Sequence, residues 1–449
     1  MDRVTKALVR TTVLAISRVN TSMAHQLCFV ILVYSISSSL TFAQSNSAQQ
    51  TKPLVESSQR ITEYKLPPER HQLAHELNRK FFAFRLVSIV YGLGILLLLL
   101  VTKVGPKLRD AAESISSRRF VQALIFTPPI VVILALFQLP ADAYVHRLSV
   151  AYGLSIQGWP SWFIDWTKQQ FFTIVAATIF VGLLYWIIRR SPQRWWVYSW
   201  LASVPIVVFL VFIQPLVLDP AFNNFEPLAA KDPELAASLT RMAQRAGEDI
   251  PVDRMFWMDA SEKTTTLNAY VTGVGASKRI VVWDTTIEKL TTPQIVFIAG
   301  HEMGHYVLHH IVKGLSVYVV GSFLLFLLGF FLVNWVVGTN KERWGIRGVD
   351  DYASLLVMLV VVSLLLFIAT PVINGISRYF EHQADTYALE ITHSLTSNAG
   401  QVGAQTFQAL GDQGLADPDP NPMNVFLFYD HDPIRDRVKF CLAYDGAIK

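Results

Sequence analysis

Six long apolar runs, at about 83–102, 120–140, 171–188, 195–217, 315–337 and 353–373, decide what kind of molecule this chain can form. Each is near the roughly 20 residues that a helix needs to cross a bilayer's hydrocarbon core. A chain carrying all six has no way to hide them from water. Composition agrees, with 52% hydrophobic and 16% charged residues and a mean hydropathy of +0.36, outside the range of an ordinary soluble domain. The expectation is an α-helical multi-pass protein of the lipid bilayer with at least six spans. Pro128 and Pro129 in the second run and Pro205 in the fourth predict kinks that neighbouring helices must cover.

The amino terminus adds a seventh stretch. Arg3, Lys6, Arg10 and Arg18 precede an apolar, serine-rich segment from Leu27 to Ala43 with small residues at its end. It reads as a cleaved signal peptide, or else as a first, short membrane helix. The polar run 44–59 reads as a linker. The resulting division is 1–43 signal peptide or first membrane helix, 44–81 linker and juxtamembrane segment, 82–217 four-helix membrane region and 218–312 the main polar domain. Residues 313–375 form a membrane hairpin, and 376–449 a tail that completes the polar domain.

The chemistry is concentrated in two short segments flanking that hairpin. His301-Glu302-Met303-Gly304-His305 is an HExxH motif, and Thr292-Pro293 followed by mostly apolar residues predicts a helix over about 293–310 with Thr292 as its cap. Histidines four apart on a helix share a face, so both imidazoles reach one cation, while Glu302 is turned away from the metal and can accept a proton from a water. His309 and His310 read as a solvated or interfacial end of that helix, not as metal ligands. After the last apolar run, Glu381 and Asp385 stand four apart, again on one face. Glu381 completes a two-His, one-Glu zinc site. Asp385 is placed to accept the second ring N–H of a ligating histidine, the competing reading being a surface ion pair with Arg378. His382 lies about 100° away round the helix and ranks below Glu381 as a ligand. With only Cys28 and Cys441, neither a disulfide framework nor a cysteine-ligated metal is available.

The pairing of His301-Glu302-Met303-Gly304-His305 with Ser377-Arg378-Tyr379-Phe380-Glu381-His382-Gln383-Ala384-Asp385 resembles the integral-membrane CAAX prenyl protease family of zinc metalloproteases, and more distantly the bacterial heat-shock membrane metalloproteases. The likeness extends over about 60–440. It includes Tyr152-Gly153-Leu154-Ser155, Asp165 with Lys168, the strand-like Leu267–Gly273 and Lys278–Thr285, and the tail Asp430-His431-Asp432-Pro433. That tail departs from the family's pattern, because Asp432 separates His431 from Pro433. The resemblance implies one zinc per chain and a polypeptide substrate. It also implies that His431 stabilises the tetrahedral oxyanion and that Asn268, on an edge strand beside the zinc helix, hydrogen-bonds the substrate backbone.

The expected fold is therefore an α-helical multi-pass membrane protein with a small α+β zinc metalloprotease domain. Within it, Pro233–Ala246 reads as an amphipathic helix burying Leu235, Leu239 and Met242, and Met255–Met258, Tyr270–Val274 and Ile280–Val282 read as strands. Gly411–Pro422, rich in Asp and Pro, reads as a solvated surface loop.

Three loops carry the basic residues: Lys103, Lys107, Arg109, Arg118 and Arg119; Arg189, Arg190 and Arg194; and Lys341, Arg343 and Arg347. Loops of this kind face the cytoplasm, which puts both halves of the zinc site on the extracytoplasmic side of a bacterial inner membrane. The resemblance implies the opposite sidedness. A net charge of +4 with no basic aromatic stripe gives no sign of nucleic-acid binding. A structural zinc would not need Glu302 between the histidines, and the last two spans hold almost no ionisable residue for a transport pathway. The functional expectation is a zinc metalloendopeptidase acting on membrane-associated or misfolded proteins, with prenylated-peptide processing as the alternative.

Overall fold

A computed structural model of the chain describes residues 60–213, 219–273, 278–396 and 398–447. The amino-terminal apolar segment, Cys28 and the polar run 44–59 lie outside the described residues. In chain order, the membrane body begins with α1 (Pro68–Val101), α2 (Val104–Ile115), α3 (Arg119–Ala151), α4 (Trp159–Arg190) and α5 (Trp195–Ile213). There follow β1 (Phe225–Pro227), α6 (Pro233–Arg245), β2 (Met255–Met258), β3 (Ala269–Thr272), β4 (Arg279–Trp283) and α7 (Thr292–Val307). The chain then continues through α8 (His310–Trp344), α9 (Leu355–His393), α10 (Ala399–Gln413), α11 (Pro422–Phe428) and α12 (Ile434–Ala447).

The described parts of the six apolar runs fall in α1, α3, α4, α5, α8 and α9, with 214–217 of the fourth run outside the described residues. Among the described residues, five of these helices are long and apolar enough to cross a membrane, while the apolar part of α5 is the shorter Trp195–Phe209. The five have 32 to 39 residues. At about 1.5 Å per residue they reach about 50–60 Å, well beyond a hydrocarbon core of about 30 Å. The excess matters for function, because α9 runs without a break from its apolar half into the segment carrying Glu381 and Asp385. Helical structure continues past Pro128, Pro129, Pro205 and Pro371.

The three basic loops meet at one end of the bundle. Arg347 pairs with Glu113 (2.8 Å) and Asp110 (3.0 Å), Arg109 with Asp351, and Arg189 donates to the Asp350 carbonyl (3.1 Å). Because these loops cap the far ends of α8 and α9, both metal-binding segments sit at the other end. At the same end, Tyr185 and Tyr352 pack with ring centroids 4.7 Å apart, and their hydroxyls are satisfied by Ser354 (2.8 Å) and the Arg119 carbonyl (2.9 Å).

The polar unit is a four-stranded mixed sheet in the order β1-β2-β4-β3. β2 and β4 run parallel with Met255 opposite Ile280, and β3 runs antiparallel to β4 with Val271 opposite Ile280. β3 is therefore an edge strand, and it begins one residue before the expected start at Tyr270. β1 escaped sequence analysis because three residues ending in proline carry no alternation signal. Leu235, Leu239 and Met242 of α6 are buried against Met255, Val271, Ile280 and Val282 and against Ile295, Ala299 and Met303 of α7. Asp232 caps α6 by accepting from the Leu235 amide at 2.9 Å.

One element starts earlier than its apolar run, and one expectation is corrected. The juxtamembrane stretch before residue 82 is helical from Pro68, and its Ala74, Leu77 and Phe81 pack on Leu389, Phe407 and Val438 of the tail. Gly411–Pro422 is not a solvated loop, since Asp417 is only 5% exposed. Its carboxylate accepts from Asn78 (2.9 Å) and the Asp419 amide (3.0 Å) and lies 3.0 Å from His75 Nδ1. Turn residues mark this stretch as a loop, but they carry no information that α1 covers it.

Candidate metal centre

α7 starts with a capping box. Gln294 Oε1 accepts from the Thr291 amide (2.8 Å) and hydroxyl (3.0 Å), so Thr291 is the cap and Thr292 the first helical residue, one position earlier than expected. Gly300 and Gly304 face Ala388 and Ala384 of α9. A Cβ at Gly304 would come within 3.2 Å of the Ala384 Cα and 3.1 Å of the Tyr387 Cβ. Small residues four apart on both helices permit this close approach, and it brings His301 and His305 alongside Glu381.

The ligand atoms converge. His301 Nε2 lies 3.3 Å from His305 Nε2 and 3.1 Å from Glu381 Oε2, and His305 Nε2 lies 3.5 Å from Glu381 Oε1. All fall within 4.8 Å of one another. The ring tautomers explain why a cation fits. His301 Nδ1 is 2.8 Å from Asp385 Oδ1, so Nδ1 carries the proton and Nε2 turns a lone pair towards the cluster. Glu381 Oε2 is buried, with His301 Nε2 (3.1 Å) and His431 Nε2 (3.0 Å) beside it. Electron pairs directed at one buried point are costly unless a positive charge sits there. A proton is the other cation that the cluster accepts: burial opposes charge on His301, but Asp385 and Glu381 outweigh it and raise its pKa to about 9. Burial pushes His305 down to about 3, which keeps the neutral ring that a ligand requires.

The supporting groups hold these ligands in position. Asp385 also accepts two bonds from Arg437, from Nε (2.8 Å) and a terminal nitrogen (2.6 Å), and Arg437 lies over the Phe407 ring at 4.1 Å. Arg378, the competing partner considered for Asp385, instead donates to the Val425 and Tyr429 carbonyls. His382 is exposed and packs on Phe440 with centroids 4.4 Å apart, away from the cluster.

α7 does not reach residue 310. It ends at Val307, His309 adopts a left-handed φ of 55°, and α8 begins at His310. The break turns His310 inward, which corrects the reading of it as solvated. It is 5% exposed, its Nδ1 lies 3.1 Å from His305 Nδ1, its Nε2 lies 3.0 Å from Gln383 Oε1, and its ring stacks on Phe380. Sequence reasoning missed His310 because a non-glycine residue in the left-handed region has no pattern. It missed Arg437 because nothing local links it to Asp385, 52 positions away.

Glu302 is half-buried on α7, about 100° round the helix from His301. His431 reaches the cluster despite Asp432: its Nε2 is 3.0 Å from Glu381 Oε2, and its Nδ1 is 3.0 Å from Asp430 Oδ1. Asn268 is exposed immediately before β3. Its amide donates to Thr286 Oγ1 (2.7 Å), and its carbonyl accepts from the Trp283 amide (3.1 Å). The edge strand it introduces packs against α7.

The chain is similar to known proteins. The profile of Peptidase family M48 matches residues 229–443, and one described as the CAAX prenyl protease N-terminal region with five membrane helices matches residues 50–224. The uncharacterised metalloprotease YhfN of Bacillus subtilis is 38% identical over 354 residues, covering 78% of this chain and 80% of its own length. CAAX prenyl protease 1 of Saccharomyces cerevisiae is 26% identical over 447 residues, covering 91% and 93% of the two chains. The crystal structure of S. mikatae Ste24p superposes with a TM-score of 0.71 over 96% of this chain and 98% of that one, at 22% identity, a likeness of fold.

Proposed function

We propose, because this chain belongs to peptidase family M48 and is a multi-pass membrane metalloendopeptidase, that its substrates are CAAX-type prenylated polypeptides. The observation that carries this reading is the match of residues 50–224 to the CAAX prenyl protease N-terminal description. It is preferred to the broader expectation of membrane-associated or misfolded proteins, since relatives named CAAX prenyl protease 1 match over nine-tenths of both chains.

His301, His305 and Glu381 would hold one zinc per chain. Bound there, zinc supplies a Lewis acid that polarises the scissile carbonyl and lowers the pKa of water towards ~7. Glu302 takes the proton of the attacking water and delivers it to the leaving amine. Asp385, fixed by Arg437, keeps the His301 ring in its ligating tautomer. His431, held at Nδ1 by Asp430, donates from Nε2 to the developing oxyanion. Asn268 and the free edge of β3 receive the substrate backbone in extended form.

Zinc-loaded protein in detergent should cleave a prenylated CAAX peptide at least about tenfold faster than its unprenylated counterpart, and faster than an unfolded membrane protein. The reverse order of rates would refute the substrate reading. Sidedness is part of the proposal: the loop charges argue for a metal site facing away from the cytosol of a bacterial inner membrane. A reporter fused after Lys449 should then show alkaline phosphatase activity. Bright cytoplasmic fluorescence there would instead establish a cytosolic site.

A further inference from the structure

α1 carries one charge inside its apolar stretch. From Phe81 to Val101, Arg85 is the sole Lys, Arg, His, Asp or Glu, and an ionisable group at such depth marks a binding or transfer function when its partner is not another side chain. Its direction follows from the helix period. The buried residues of α1 include Ala74, Leu77, Phe81, Ser88, Ile95 and Leu99, and Arg85 falls on this stripe, four after Phe81 and three before Ser88. Val87, Val90 and Leu97 on the other side are exposed. Arg85 therefore faces the protein interior and not lipid.

No side chain is bonded to it there, the nearest acid acting on it being Asp430. Among the described residues Arg85 has neither an ion pair nor a hydrogen bond, and its Nε is buried without an acceptor. The guanidinium lies over the Phe428 ring, 5.4 Å from the centroid. That contact engages the face of the guanidinium and leaves its edge, Nε included, open to an acceptor. Phe428 is three residues from His431, about 10 Å at full extension, and His431 Nε2 is 3.0 Å from Glu381. A guanidinium with no ion pair thus lies against the tail segment that carries His431 to the metal centre.

We propose that Arg85 is the subsite for the C-terminal carboxylate of the substrate. The inference rests on the CAAX-type reading above. That motif is the last four residues of a chain, so any bond cut within it lies at most three residues, about 10 Å, from the terminal carboxylate. A guanidinium presents two parallel N–H groups that match a carboxylate, and the buried setting rewards the pairing.

The test compares matched peptides ending in a free acid or an amide, with wild type, Arg85→Gln and Arg85→Lys protein. Wild type should favour the acid by on the order of ten- to hundredfold in kcat/KM, mainly through KM. Arg85→Gln should lose that preference, its kcat/KM for the acid falling to about that for the amide, and Arg85→Lys should keep part of it. Equal cleavage of both peptides by wild type would overturn the proposal. So would an Arg85→Gln variant that slows both peptides equally with the preference intact, which would indicate a structural role or a bound lipid phosphate. Binding of the same pair to Glu302→Gln protein gives the answer independently of turnover. Running prenylated and unprenylated pairs in parallel separates the two claims: indifference to the prenyl group defeats the CAAX-type reading, whereas the acid-to-amide ratio still reports on Arg85.

Discussion

Replacing Asp385 with alanine removes two functions that a double mutant can separate. The carboxylate accepts from His301 Nδ1 at 2.8 Å and from Arg437 at 2.8 and 2.6 Å, and both the Asp385 and Arg437 side chains are nearly inaccessible. Losing the ring's acceptor should weaken zinc binding about 10–100-fold, or about 1.4–2.8 kcal/mol. Leaving the Arg437 guanidinium buried and unpaired should cost a further ~3–5 kcal/mol of fold stability. Adding Arg437→Leu removes the stranded charge, so zinc-free Asp385→Ala/Arg437→Leu protein should unfold at nearly the wild-type temperature while its zinc affinity stays low. Chelator competition measures the affinity, and thermal unfolding of metal-free protein in detergent measures the stability. Asp385→Ala binding zinc within twofold of wild type would refute the orienting role. Full recovery of affinity in the double mutant would assign the whole effect to Arg437.

Gly304→Ala should push α7 away from α9, because its Cβ would meet Ala384 and Tyr387 at 3.1–3.2 Å. Overpacking of about 1–3 kcal/mol and roughly tenfold weaker zinc binding are expected, with Gly314→Ala, which has open space, unchanged in both assays. His310→Phe removes the acceptor for His305 Nδ1 and should lower zinc affinity about tenfold, whereas His310→Gln, which still offers an acceptor, should restore most of it. A cobalt-substituted centre would report the same change as a shifted absorption band in His310→Phe only.

How much of this was legible in the sequence follows from how local each signal is. Membrane helices, the HExxH pair and the Glu381–Asp385 pair are defined by spacing within one helix, and the structure brings these residues together. Leu235, Leu239 and Met242 likewise reveal a buried face through period alone. The missing features depend on distant contacts or on unusual backbone. His310 is directed inward by the left-handed His309, Arg437 reaches Asp385 across the tail, and Asp417 is buried by α1. The unpaired state of Arg85 is likewise visible only once α1 and Phe428 are side by side.

The central claim is that Glu302 moves the proton in a zinc site built by His301, His305 and Glu381, and the most direct measurement is metal content and peptide turnover on one preparation of Glu302→Gln protein. About one zinc per chain, held as tightly as in wild type, with hydrolysis reduced about 10²–10⁴-fold is the predicted result. Wild-type turnover in that variant would contradict the assignment of Glu302. Loss of the metal along with activity would instead make Glu302 part of the binding site, contrary to the three-ligand arrangement.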